Sequence, residues 1–385
     1  MGLVALDHVT DQQGKRIHTQ AGGTCGNVLT ILAALGWHAS PIARLKSERA
    51  GRWVRADFHR FGVDTRWLSC HPQSATPVII ERMLQDSIGV PFHCFSFCCP
   101  NCGARLPRYN PVTLNALSRI VREAAQADIA FIDRFSPSGV EFAQRACRAG
   151  SLVFFEPSKF TSSAQLNRIL PFTHILKYSH ERLDEPAAEP PDSGFLEIQT
   201  LGRGGLKFRT RSTKTRRLTA WMLLKSAPVE TLVDSAGAGD WLSAGLIHLL
   251  CSRGVRKAKA AAETEIVAAL SKAQRLAAWS CMFSGARGAM YHAPIDKITE
   301  ILNRAHLQLP TAFDKSSSAS DLTLTCDTCL SVGVHQPGPE CSQLVHGALR
   351  QGLVASSRNR ARISVVCFHS PAAFRSRRCP ALVSS

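Results

Sequence analysis

The sequence predicts an α/β protein with a mainly parallel central sheet and helices on both faces, and three observations predict it. Short apolar runs alternate with helical ones between Ile129 and Leu201, the pattern of strand–helix–strand units. Glu156, Lys177, Gly202 and Asp234 fall at or just after the ends of such runs, where open parallel sheets place their ligand sites. Two long apolar segments, Trp241 to Cys251 and Ala258 to Cys281, supply helices that can cover the sheet.

Taken in order, Gly2 to Val9 reads as a first strand. The glycine-rich turn from Ala21 to Asn27 then opens a buried helix over Val28 to Leu35, ended by Gly36. Arg49 to Phe61 reads as a helix closed by Gly62, and Thr76 to Met83 as a strand with Pro77 near its start. Strands follow at Ile129 to Ile132, Leu152 to Phe155, Thr173 to Lys177 and Phe195 to Leu201. Helices at Gly139 to Ala149 and Ser162 to Ile169 separate them. Thr231 to Val233 reads as a short strand that enters a second glycine-rich turn before the helix at Trp241.

The 385 residues, 45% of them apolar, suffice for one large domain with its own core plus an appendage. No stretch reaches the roughly 18 uncharged apolar residues of a membrane span. Met1 to Asp7 lacks the basic and then apolar pattern of a secretory signal. The expectation is a cytoplasmic protein without a membrane partner. The formal charge is +17, and after Ser331 seven arginines stand against one glutamate. Such charge attracts phosphorylated ligands or nucleic acid without reading bases. No aromatic stacking platform or recognition helix accompanies it, so nucleic acid is not the expected partner. The chain turns polar and small near Ser316, which divides a domain over 1–315 from a linker and a poorly ordered basic tail over 316–385.

Fourteen cysteines without a secretory signal argue against a disulfide framework. Two pairs have metal-ligand spacing: Cys99 and Cys102, in a Cys-rich segment over 94–103, and Cys326 and Cys329. Cys99-Pro100-Asn101-Cys102-Gly103 resembles one knuckle of a zinc ribbon, and a closed structural zinc needs four ligands. One zinc shared by both pairs, two unconnected thiol pairs and a redox role are the competing readings.

The richest segment is Asp234-Ser235-Ala236-Gly237-Ala238-Gly239-Asp240, followed by a long apolar helix. Glycines let the backbone approach a ligand closely. A helix start adds open N–H groups and the positive end of the macrodipole, a site for phosphate oxygens. Asp240 at that mouth can accept the proton of an attacking hydroxyl. An ordinary N-capping aspartate after a glycine loop is the competing reading.

This segment resembles the signature of the ribokinase-like (PfkB) carbohydrate kinase family, with Ser235 in place of the usual Thr and Trp241-Leu242 in place of Ala-Phe. Ala21-Gly22-Gly23-Thr24-Cys25-Gly26-Asn27 resembles the family's amino-terminal signature, and the likeness covers roughly Gly2 to Ala305. It implies a three-layer fold with a small β lid, the Cys-rich segment being an insertion. It also implies an ATP- and Mg²⁺-dependent kinase of a sugar, sugar phosphate or nucleoside, with a homodimer through the lids as one arrangement. By the same resemblance Asp240 is the base and the amides of Gly237, Ala238 and Gly239 hold the transferring phosphate. Asp7, Gly22, Gly23 and Asn27 bind substrate, while Lys177, Ser179, Gly202, Gly205, Asp234 and Gly285 serve the nucleotide side. Ser179 and Arg182 depart from the family's Asn and Glu in the segment that organises Mg²⁺, and Glu156 replaces the usual Asp. A sugar- or nucleotide-binding module without catalysis, and a zinc-containing nucleic-acid binder, are the alternatives.

Overall fold

The computed structural model describes residues 1–70, 74–157, 162–180, 195–211, 217–303 and 365–368. Strands β1 (Ala5–Thr10) and β2 (Arg16–Gly22) form an antiparallel hairpin, and α1 (Thr24–Ala34) leaves the turn after it. Next, β3 (Ala43–Leu45) and β4 (Leu68–Cys70) pair in parallel around α2 (Arg49–Arg60). β5 (Val78–Gln85) runs parallel to β1, and β6 (Pro91–Ser96) folds back antiparallel on β5. Short helices α3 (Leu114–Ser118) and α4 (Val121–Ala124) lead to the alternating region. There β7 (Ile129–Ile132), α5 (Pro137–Arg148), β8 (Leu152–Phe155), α6 (Ser163–Ile169), β9 (Ile175–Ser179) and β10 (Leu196–Thr200) follow.

β11 (Leu206–Thr210) and β12 (Met222–Leu224) complete a six-stranded sheet of order β12-β11-β10-β9-β8-β7. β7 to β10 are mutually parallel; β11 and β12 are antiparallel additions. The remaining helices are α7 (Ala238–Cys251), α8 (Val255–Lys259), α9 (Glu263–Ser280), α10 (Gly288–His292) and α11 (Asp296–Asn303). β13 (Val365–Phe368) pairs antiparallel with β6 at the edge of the smaller sheet, ordered β13-β6-β5-β1-β2, which forms the expected β lid.

Strand period explains the layers. Phe131, Phe154, Ile175 and Ile198 enter one core with α1, α7, α9 and α11. Their neighbours Ile132, Val153, Phe155 and Leu176 enter a second core with α5 and α6. A sheet buried on both faces needs such continuous apolar strands, which is why these four are legible in sequence. Local signals set the helix starts. Ser136 accepts from Gly139 N at 3.0 Å ahead of Pro137, and Ser162 and Gln165 form a reciprocal cap on α6.

Several expectations are corrected. The first strand, expected over Gly2 to Val9, runs from Ala5 to Thr10 and belongs to the lid, with Asp7 inside it paired to Gln20 of β2. Thr231 to Val233 is not a strand: the N–H groups of Val233 and Asp234 donate to Cys281 O at 2.9 and 3.1 Å, which anchors the segment to the end of α9. The helix placed at Trp241 starts at Ala238, because Gly237 takes the left-handed cap conformation. Ala258 to Cys281 is not one helix. Ala262 is extended and its N–H donates to Glu265 Oε2 at 2.9 Å, so a new helix starts there. Cys94, Phe95 and Ser96 lie in lid strand β6, and the turn beyond is closed by Cys99 N to Ala104 O at 2.8 Å; the Cys-rich segment is part of the lid edge. Cys326, Cys329 and the tail, apart from β13, lie outside the described residues. No described helix is long and apolar enough to cross a membrane.

Candidate active site

Two glycine turns, separated by more than 200 residues in sequence, meet where the lid joins the sheet. The first follows β2. Gly22 sits so close to Asp7 that a Cβ there would collide with the Asp7 carboxylate. Because α1 starts at Thr24, Asn27 falls in its first turn and is buried. Its Nδ2 donates to Asp240 Oδ2 at 2.7 Å. The second turn precedes α7. Gly237 has φ +72°, which an L side chain rarely adopts, and a Cβ there would strike the carbonyl of Ala286. That turn places Asp240, 8% exposed, in the first turn of α7, where the helix dipole favours a negative charge. Trp241 Nε1 donates to Ala286 O at 2.9 Å and fixes the helix start against the following loop.

Of the three amides expected to form the anion cradle, that of Ala238 donates to Ser235 O at 3.3 Å; beyond them, Asp240 N donates to Gly237 O at 2.8 Å and closes the first turn of α7. Beneath it, Lys177 from β9 forms a buried ion pair with Glu156 at the end of β8, and Ser243 Oγ donates to the other Glu156 oxygen. A Cβ on Gly239 would stand 3.5 Å from Lys177 Nζ, so this pair lies directly under the turn. Lys177 is therefore committed to a carboxylate, a partner the sequence did not identify; Ser179 ends the same strand, partly buried.

Asp234 joins the two sides. Its Oδ1 accepts from Ala236 N at 2.9 Å and its Oδ2 from Gly285 N at 2.8 Å. Gly202 and Gly205 occupy the turn between β10 and β11, which is closed by Leu201 N to Gly205 O at 2.8 Å and Gly205 N to Gly202 O at 3.1 Å. Cys99 is buried and Cys102 exposed. The described residues bring no group of three metal ligands around them; the one such group is Glu81, His93 and Asp234.

The sequence does not single out Arg287, which is fully buried. Its Nε donates to Ala21 O at 3.0 Å, and its guanidinium pairs with Asp57 and donates to Tyr291 Oη at 3.0 Å. Asp57 in turn accepts from Ala21 N at 3.0 Å and from Tyr291 Oη at 2.8 Å. Thus an arginine far along the chain clamps the first glycine turn. A charged residue inside Ser284-Gly285-Ala286-Arg287-Gly288, a turn that must pack closely, was the available signal.

Burial pushes the Asp7 carboxyl up to about 7, against the opposing pull of Arg287 and a hydrogen bond from Gly23. The folded state then holds this proton more tightly than the unfolded chain, so stability falls as pH rises from about 4 through 7. Asp7→Asn removes that dependence. In urea denaturation the variant is expected to exceed the native chain at pH 8 by an amount on the order of 1–4 kcal/mol, the gap closing towards pH 4. A difference that stays constant across pH would overturn the assignment.

No protein-family model and no curated protein matches the chain. Solved structures do. Aminoimidazole riboside kinase from Salmonella enterica, in complex with aminoimidazole riboside and an ATP analogue, aligns over 78% of this chain and 97% of its own at 20% identity and TM-score 0.56. Fructokinase from Xylella fastidiosa with bound ATP covers 78% and 96% at 18% identity and TM-score 0.58. Ribokinase from Arabidopsis thaliana, complexed with ribose and ATP, covers 79% and 97% at 16% identity and TM-score 0.56. At these identities the likeness establishes a shared fold.

Proposed function

We propose, from the premise that this chain has the ribokinase-like fold, that it is an ATP-dependent kinase that phosphorylates a hydroxyl of a sugar, sugar phosphate or nucleoside. One observation carries the reading: Asp240 stands in the first turn of a helix capped by a left-handed glycine and is oriented by Asn27 from the other glycine turn. An N-capping role alone gives no reason for a side chain so remote in sequence to hold that carboxylate.

The residues present fit a nucleotide phosphate. Gly239 puts no side chain between the turn and Lys177 Nζ, which would lie 3.5 Å from a Cβ there, and α7 begins at the same turn with the positive end of its dipole. Mg²⁺ would be carried chiefly by phosphate oxygens and water, with Glu156 as the adjoining carboxylate, and when bound it would neutralise phosphate charge. In this mechanism Asp240 accepts the proton from the acceptor hydroxyl while Asn27 holds its Oδ2. The Gly237–Gly239 backbone steadies charge on the transferring group, and the Glu156–Lys177–Ser243 cluster supports that backbone from below.

The test is a panel of sugars, sugar phosphates and nucleosides incubated with ATP and Mg²⁺, read as ADP release. Turnover with one acceptor class is expected. Nucleotide or sugar binding without turnover on any acceptor would reject the kinase reading and leave a binding module.

A further inference from the structure

Between lid and core lies a cluster of buried side chains, two of which, Glu81 and His93, have no part in the proposed phosphoryl transfer. Glu81 from β5, His93 from β6 and Asp234 before α7 bring one ligand atom each within 4.8 Å of one another. Their exposures are 0%, 6% and 2%, so water does not solvate them. His93 Nδ1 lies 3.2 Å from Asp234 Oδ1, and among the described residues Glu81 has no donor group beside its carboxylate but faces the Asp234 carboxylate at hydrogen-bonding range. Asp7 adds a third carboxyl nearby, and Arg287 is engaged with Ala21, Asp57 and Tyr291. Two like charges in so dry a place are costly unless a proton or a cation lies between them.

We propose that Glu81, His93 and Asp234 form a binding site for a divalent transition-metal ion, which ties lid strands β5 and β6 to the turn that carries Asp240. Two carboxylates and one imidazole suit Mn²⁺ or Zn²⁺. Three protein ligands leave positions for water. The hydrogen bonds from Ala236 and Gly285 orient Asp234, the supporting role outer groups play around metal ligands. The site does not depend on the kinase reading, because it is complete without nucleotide or acceptor.

Mn²⁺ is the probe of choice, since soft thiolates such as those of Cys99 and Cys102 compete poorly for it. Titration of the full chain without nucleotide, followed by calorimetry and by Mn²⁺ paramagnetic resonance, is expected to give one saturable site per chain and a raised thermal midpoint. Glu81→Gln and, separately, His93→Ala are expected to weaken binding at least tenfold and abolish the midpoint shift, whereas Cys99→Ser leaves both unchanged. No saturable binding, or binding that either folded variant leaves unaltered, overturns the proposal and leaves a proton shared between the two carboxyls.

Discussion

Asp240→Asn is expected to lower kcat by about 10²- to 10⁴-fold, the usual contribution of a positioned general base. Asparagine keeps the shape of the side chain and can still meet Asn27 Nδ2 through its amide oxygen, so the turn and helix start should be undisturbed. What it loses is the ability to take a proton from the acceptor. Nucleotide affinity, read by calorimetry with ADP, is expected to stay within a few-fold. The split matters: equal loss of binding and turnover would indicate that Asp240 serves only to hold the turn. Turnover within threefold of the native chain would remove it from the chemistry, since positioning and charge stabilisation would then account for the whole rate.

Arg287→Met is expected to destabilise the fold by about 3–5 kcal/mol, the cost of breaking a fully buried ion pair by removing one partner. The substitution keeps much of the side chain's volume, so packing is not the main loss. It leaves Asp57 buried with only Tyr291 and Ala21 N as donors, and leaves Ala21 O without its guanidinium partner. Equilibrium urea denaturation measures the effect, and Arg287→Met combined with Asp57→Leu is expected to recover part of it. A loss below about 1 kcal/mol would mean that the clamp is not coupled to the fold.

Much of the central sheet was legible because burial on both faces demands unbroken apolar runs. Ile129 to Ile132 and Leu152 to Phe155 form strands with the expected bounds. The lid was legible only in part. β2, Arg-Ile-His-Thr-Gln-Ala-Gly, mixes polar and apolar residues without clean alternation, because it packs against both α2 and the site. Strand pairing selects it, and pairing depends on β1. Thr231 to Val233 misled for the converse reason: its β-type residues have a local strand preference, but the end of α9 claims their amides.

At the candidate site, the sequence by itself determined the two glycine turns and Asp240, since close backbone approach and a helix start leave fixed local marks, while Asn27 entered only through the family resemblance. Only the tertiary structure decided that Asn27 reaches Asp240, that Lys177 is held by Glu156, and that Arg287, Asp57, Glu81 and His93 belong beside them. The physical reason is range. A turn or a cap is set by residues a few positions apart, whereas the partner of a buried charge is whichever opposite group the fold carries to it, and nothing in the local sequence of Asp57 or Arg287 announces the other.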